Sequence, residues 1–171
     1  LSFSSDGTKM YIVGYNSDTV YQYTLSTAWD VSIAEFNLAP IFPIPVYNTE
    51  TEAHGLSFSS DGTKMYVVGT VTDTVYQYTL ATAWDISTAS YASKSFSVAS
   101  QDTTPFDLSF SLDGTKMYVL GYTNDTVYQY TLGTAWDVST AMYKTPTKTI
   151  TTNGTPLSGA ITFNSAGSSA G

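Results

Sequence analysis

The sequence predicts an all-β chain of repeated four-stranded units, the pattern of β-propeller blades. Two observations carry that prediction. The first is a 34-residue block, LSFSSDGTKMYIVGYNSDTVYQYTLSTAWDVSIA, that begins at Leu1 and recurs from Leu56 and Leu108 with 25 positions identical in all three copies. A weaker fourth opening, ITFNSAG, starts at Ile161, so the spacings are 55, 52 and 53 residues. A fixed period of that size marks a repeat architecture. The second is composition: 14 Tyr, with abundant Thr and Val, favour strands over helices.

Each element of the block follows from its residues. Leu1-Ser2-Phe3-Ser4 alternates apolar and small polar side chains, as a short half-buried strand does. Ser5-Asp6-Gly7-Thr8 is a tight turn, because Asp bonds nearby backbone and Gly tolerates positive φ. Lys9 to Val13 is a second strand ending at Gly14, Asn16-Ser17-Asp18 a second turn, and Val20 to Leu25 a third strand. Thr27 to Ser32 makes a longer turn in which Asp30 is placed to accept the Ser32 N–H. A variable fourth strand follows, over roughly residues 36–47, 91–98 and 143–151 in the three copies. Four short strands every fifty-odd residues make a propeller blade. A two-layer sandwich leaves so close a repeat unexplained, and the rungs of an open β-solenoid are usually shorter.

The blades are expected at residues 1–55, 56–107 and 108–160, with 161–171 opening a fourth. Three blades and a stub do not close a ring of four to eight. A fragment of a longer array is expected, so the partners would be further propeller blades; the alternative is closure by a second chain.

Bulk properties exclude several functions. Hydrophobic content of 42% with 12% charged residues reads as folded. Net charge is −8 and all six basic residues are Lys, so the bidentate Arg of phosphate and guanine recognition is absent and nucleic acid is not an expected partner. Nine of the 11 Asp belong to the repeat. Zero Cys removes thiol chemistry and thiolate metal sites. No window approaches the ~18 apolar residues of a membrane-spanning helix.

The segments from Phe3 to Val13 and Asp18-Thr19-Val20 resemble the YVTN/YncE-like β-propeller repeat, whose pattern runs "FSPDGK-LYV" and then "D-TV". The resemblance covers the first three strands of every copy and departs in the VYQYTL strand and the TAWDVSTA turn. The combined wording also resembles repeats of phage virion proteins, such as tail fibres, and of bacterial surface proteins. The Trp-Asp pairs at 29–30, 84–85 and 136–137 fall after the third strand, too late to be a WD40 hallmark.

Residues repeated in every blade serve turns and packing. Asp6, Asp61 and Asp113 lack the spaced carboxylates of a calcium loop, and no metal or cofactor is expected. Function belongs where the copies differ. One such set follows the second strand and contains Tyr15, Asn16, Tyr122 and Asn124; the other precedes the first strand and contains Glu52, His54, Phe106 and Asp107. In the resembling folds the two sets share a face around the central channel. Polar, aromatic-dotted loops suit a glycan or host-surface ligand. The expectation is a non-catalytic structural or binding module of an extracellular or virion-surface protein. The rival is a fragment of a propeller-fold enzyme, a lyase or oxidoreductase, with acid–base groups in the His54 loop; that loop itself is expected to be solvated.

Overall fold

The structure, a computed structural model, describes residues 1–43 and 52–144, with backbone alone for 36–40. The repeat opening at Ile161 and the later parts of the first and third fourth-strand segments lie outside the described residues.

Among the described residues twelve strands form three sheets. β1 (Ser2–Phe3), β2 (Lys9–Gly14), β3 (Thr19–Leu25) and β4 (Ala34–Pro43) make the first. β5 (Ala53–Phe58), β6 (Lys64–Gly69), β7 (Thr74–Leu80) and β8 (Ala89–Ser97) make the second. β9 (Pro105–Phe110), β10 (Lys116–Gly121), β11 (Thr126–Leu132) and β12 (Ala141–Tyr143) make the third. Each is an antiparallel meander in chain order. The all-β fold with four-stranded, propeller-like sheets is as the sequence predicts. Among the described residues no helix is long and apolar enough to cross a membrane.

Turn chemistry fixes each sheet. Asp6 Oδ1 accepts hydrogen bonds from Ser4 Oγ at 2.7 Å, Thr8 N at 3.0 Å and Thr8 Oγ1 at 2.9 Å, and the same set recurs at Asp61 and Asp113. Asp30 Oδ1 accepts the Ser32 N–H at 3.0 Å, as do Asp85 and Asp137 their equivalents. The two turns lock together. Gly7, Gly62 and Gly114 adopt φ near +70°, and the indole of Trp29, Trp84 or Trp136 lies where a Cβ would stand. Each Trp N–H donates to that glycine carbonyl at 2.9–3.0 Å. The Trp residues themselves hold positive φ, from 63° to 68°, an unfavourable conformation for a bulky side chain.

That geometry aims the Trp carbonyl at the preceding sheet. Tyr11 Oη donates to Trp84 O at 2.7 Å and Tyr66 Oη to Trp136 O at 2.8 Å. Buried Gln22 and Gln77 accept the N–H groups of Ile86 and Val138 at 3.2 and 3.1 Å. Around these bonds lie two apolar cores. One joins Tyr11 and Val20 to Met65, Val67 and Tyr78; the other joins Tyr66, Val68 and Val75 to Met117, Val119 and Tyr130. Burial raises the Tyr11 and Tyr66 pKa values well above the ordinary phenol.

One sequence expectation changes. Ala53, His54 and the Pro105–Asp107 stretch belong to strands β5 and β9, whereas the sequence placed them in approach loops. Their partners β6 and β10 run on to Gly69 and Gly121, and pairing them satisfies the backbone despite weak strand propensity. Gly55 lets these first strands approach: a Cβ there would stand 2.8 Å from the Asp107 Cα.

Two outcomes follow. The repeated bonds from Ser and Thr hold Asp6, Asp61 and Asp113 down to about 2. Their stabilising effect is complete above the unfolded value of 3.8 and is lost as pH falls through about 2. Acid titration followed by near-UV circular dichroism should therefore show stability falling below pH ~4, with a shallower fall after Asp→Asn at all three. Separately, Gln77→Ala leaves the Val138 N–H buried without its acceptor, and urea unfolding should show a loss of about 1–3 kcal/mol.

Candidate functional site

The second strands end at Gly14, Gly69 and Gly121, and the next residues are Tyr15, Thr70 and Tyr122. Backbone bonds from Thr70 N to Glu52 O (3.1 Å) and Tyr122 N to Thr104 O (3.0 Å) tie these positions to the residues preceding the first strands. On those first strands, His54 and Phe106 occupy equivalent positions, two before Leu56 and Leu108. The result is a row of four rings crossing all three sheets. Tyr15 lies 4.8 Å from His54, His54 stacks on Phe106 at 4.3 Å and 29°, and Phe106 lies 5.1 Å from Tyr122. Tyr15, Phe106 and Tyr122 are exposed, while His54 between two rings is half-buried.

Glu52 closes one end. Its Oε2 accepts the Thr70 hydroxyl at 2.7 Å. Its carboxylate lies near the Tyr15 hydroxyl, where hydrogen bonding and then charge raise the Tyr15 pKa. His54 packs against the rings of Tyr15 and Phe106, and its ring nitrogens are the atoms that can transfer a proton. An imidazole, a carboxylate and exposed aromatic faces in one row can hold a polyhydroxylated ring and move a proton at it.

Five of the eight residues singled out from sequence, Tyr15, Glu52, His54, Phe106 and Tyr122, thus come together. The solvated loop expected around His54 is instead a strand carrying a stacked imidazole. The other three stand apart. Asn16 is exposed in the turn beside Tyr15. Asp107 accepts the Leu108 N–H at 2.9 Å and lines an open cavity with Leu108, Tyr118, Leu120 and Val127. Asn124 is engaged by the loop itself, its side-chain amide donating to Gln101 O at 3.0 Å and Asp102 Oδ2 at 3.1 Å. Asp102 was not singled out. It is buried and also accepts the N–H groups of Thr104, Thr123 and Asn124, fixing the loop that carries Tyr122. Thr70 was missed as the partner of Glu52; its being the one non-aromatic residue among three equivalents was the available signal.

No family model matches the sequence, and no curated protein matches it. Solved structures do. A periplasmic gluconolactonase from Pseudomonas aeruginosa superposes with a TM-score of 0.58 at 16% identity, over 82% of this chain and 37% of that one. A candidate 6-phosphogluconolactonase from Bacteroides uniformis gives 0.58 at 12% identity, over 83% and 39%. A protein from Lactobacillus plantarum gives 0.60 at 19% identity, over 84% and 39%. The chain therefore spans about two-fifths of the length of these structures. At such identities the likeness establishes a propeller-like fold. It also overturns the expectation of a non-catalytic virion or cell-surface module: the neighbours named for an activity are lactonases, and none of the three is named for a tail fibre or adhesin. The rival expectation, a piece of a propeller-fold enzyme, accords better with them.

Glu52→Gln should lower the Tyr15 pKa toward the ordinary phenol value, because the neighbouring charge is gone. Ultraviolet absorbance titration of the wild type, Glu52→Gln and Tyr15→Phe isolates that one phenol.

Proposed function

We propose that this chain is part of a propeller-fold hydrolase that opens sugar lactones, with the Tyr15–His54–Phe106–Tyr122 row as its substrate platform. The observation that carries the reading is the half-buried imidazole stacked within exposed rings, with a carboxylate at the end of the row. The ring faces cover the C–H face of a sugar ring and remove apolar area from water. Glu52 accepts hydrogen bonds from sugar hydroxyls. An edge nitrogen of His54 takes a proton from water as the water oxygen bonds to the lactone carbonyl carbon. The ring C–O bond then breaks, the proton passes to the departing oxygen, and the product is the open hydroxy acid. Atoms balance with water as the sole co-reactant. Lactone opening replaces the lyase and oxidoreductase chemistries considered from sequence, since it is the activity named for the Pseudomonas and Bacteroides neighbours. A location outside the cytoplasm is part of the proposal, in keeping with the periplasmic Pseudomonas protein.

The test is acid release from glucono-δ-lactone, followed in a pH-stat against the spontaneous rate. Turnover by the chain is expected, with kcat falling ~100-fold or more in His54→Ala and KM rising in Phe106→Ala. A rate equal to buffer alone, or one unchanged by His54→Ala, contradicts the proposal.

A further inference from the structure

Thr70 stands in the middle repeat where the first and third carry Tyr15 and Tyr122. The frame around it is the same as in the third repeat. His54 and Phe106 are each the extra residue of a β-bulge: Ala53 and Gly55 pair with Gly69 and Val68, while Pro105 and Asp107 pair with Gly121 and Leu120. In both repeats the residue after that glycine donates its N–H to the carbonyl two residues before the bulge, Thr70 to Glu52 and Tyr122 to Thr104. In the third repeat this frame lays the Tyr122 ring 5.1 Å from Phe106, tilted by 34°. One repeat earlier the matching pair is Thr70 and His54, and a threonine has no ring to lay there. Its hydroxyl donates to Glu52 Oε2 at 2.7 Å.

We propose that the place of this missing ring is the substrate seat, and that Thr70 determines specificity by keeping it open. A six-membered lactone ring takes against His54 the position that the Tyr122 phenol takes against Phe106. That the ring is a lactone rests on the activity proposed above; the seat itself rests on the geometry of the repeats. The two rings are close in size, and the C–H face of a sugar packs on an aromatic face much as a second ring does. The Thr70 hydroxyl holds the Glu52 carboxylate at the seat, where it serves as an acceptor for sugar hydroxyls. Exposed Tyr15 and Tyr122, at either end of the stacked His54–Phe106 pair, bound it. Of the three equivalent positions only residue 70 is small, so the row has one such seat, and it lies beside the one imidazole. A tyrosine at this position fits the backbone, as Tyr15 and Tyr122 show, and would put a ring where the substrate goes.

Glucono-δ-lactam, which keeps the closed ring and the hydroxyls but has an amide in place of the ester, is the probe. Titrated into the isotope-labelled chain, it should shift the Thr70 methyl and the His54 ring resonances together. Thr70→Tyr should weaken its binding ~10-fold or more, as a side chain built into the ligand's place does. Thr70→Val keeps the size and removes only the hydroxyl, so its loss should be smaller. A wild type that does not bind the lactam, shifts that miss Thr70 and His54, or a Thr70→Tyr chain that binds as tightly as the wild type each overturns the proposal. The wild-type shift map decides the matter even if Thr70→Tyr fails to fold. Lactam binding at the seat without turnover of the lactone supports the seat and defeats the lactonase reading. Lactone turnover that Thr70→Tyr leaves unchanged defeats the seat and keeps that reading.

Discussion

The carbonyl of a tryptophan held in a left-handed backbone is the hinge on which the sheets meet. Nothing local favours that conformation, which costs roughly 1–2 kcal/mol for a residue with a side chain. It persists because the indole fills the space over a glycine that cannot carry a Cβ, and because the Trp N–H bonds that glycine's carbonyl. The Asp turn holds the glycine in place through its bonds to Ser and Thr. Once formed, the turn presents Trp84 O to Tyr11 and Trp136 O to Tyr66, residues 73 and 70 positions away in chain order. Gly, Asp, Trp and Tyr recur together in every copy because each is one part of a single contact.

This division explains where chemistry can reside. Residues used at every junction are buried or bonded within the template and have little left to offer a ligand. The ring row lies where the copies disagree: His54 against Phe106 on the first strands, and Thr70 against Tyr15 and Tyr122 after the second. The template supplies a rigid frame, and its Tyr phenols are driven by burial away from ionisation. The variable row supplies an imidazole, a carboxylate and exposed aromatic faces. The fold is shared with structures named as lactonases, and it is the side chains of the row, not the fold, that decide what chemistry can occur there.

Local chemistry was legible in the sequence, and long-range pairing was not. The bonds from Asp6 to Thr8 and from Asp30 to Ser32 span two residues, so side-chain type alone announces them. The choice of Tyr11 and Gln22 to cross between sheets depends on which strand face meets the neighbour, which no short window reveals. His54 was misread for a related reason. Glu52-Ala53-His54-Gly55 has the composition of a loop, yet β6 continues past it and takes it into the sheet. Asn124 was singled out as a ligand group because it varies between the copies in a polar, aromatic-dotted loop. Buried Asp102 claims it for the loop.

A chemical-shift map of the labelled chain on adding D-gluconate, the open acid of the proposed reaction, tests the division between frame and row most directly. Perturbations are expected at Tyr15, Glu52, His54, Phe106 and Tyr122, with Tyr11, Tyr66, Trp84 and Trp136 unmoved. Shifts centred on the repeated Tyr and Trp residues, or none at the row, would contradict it.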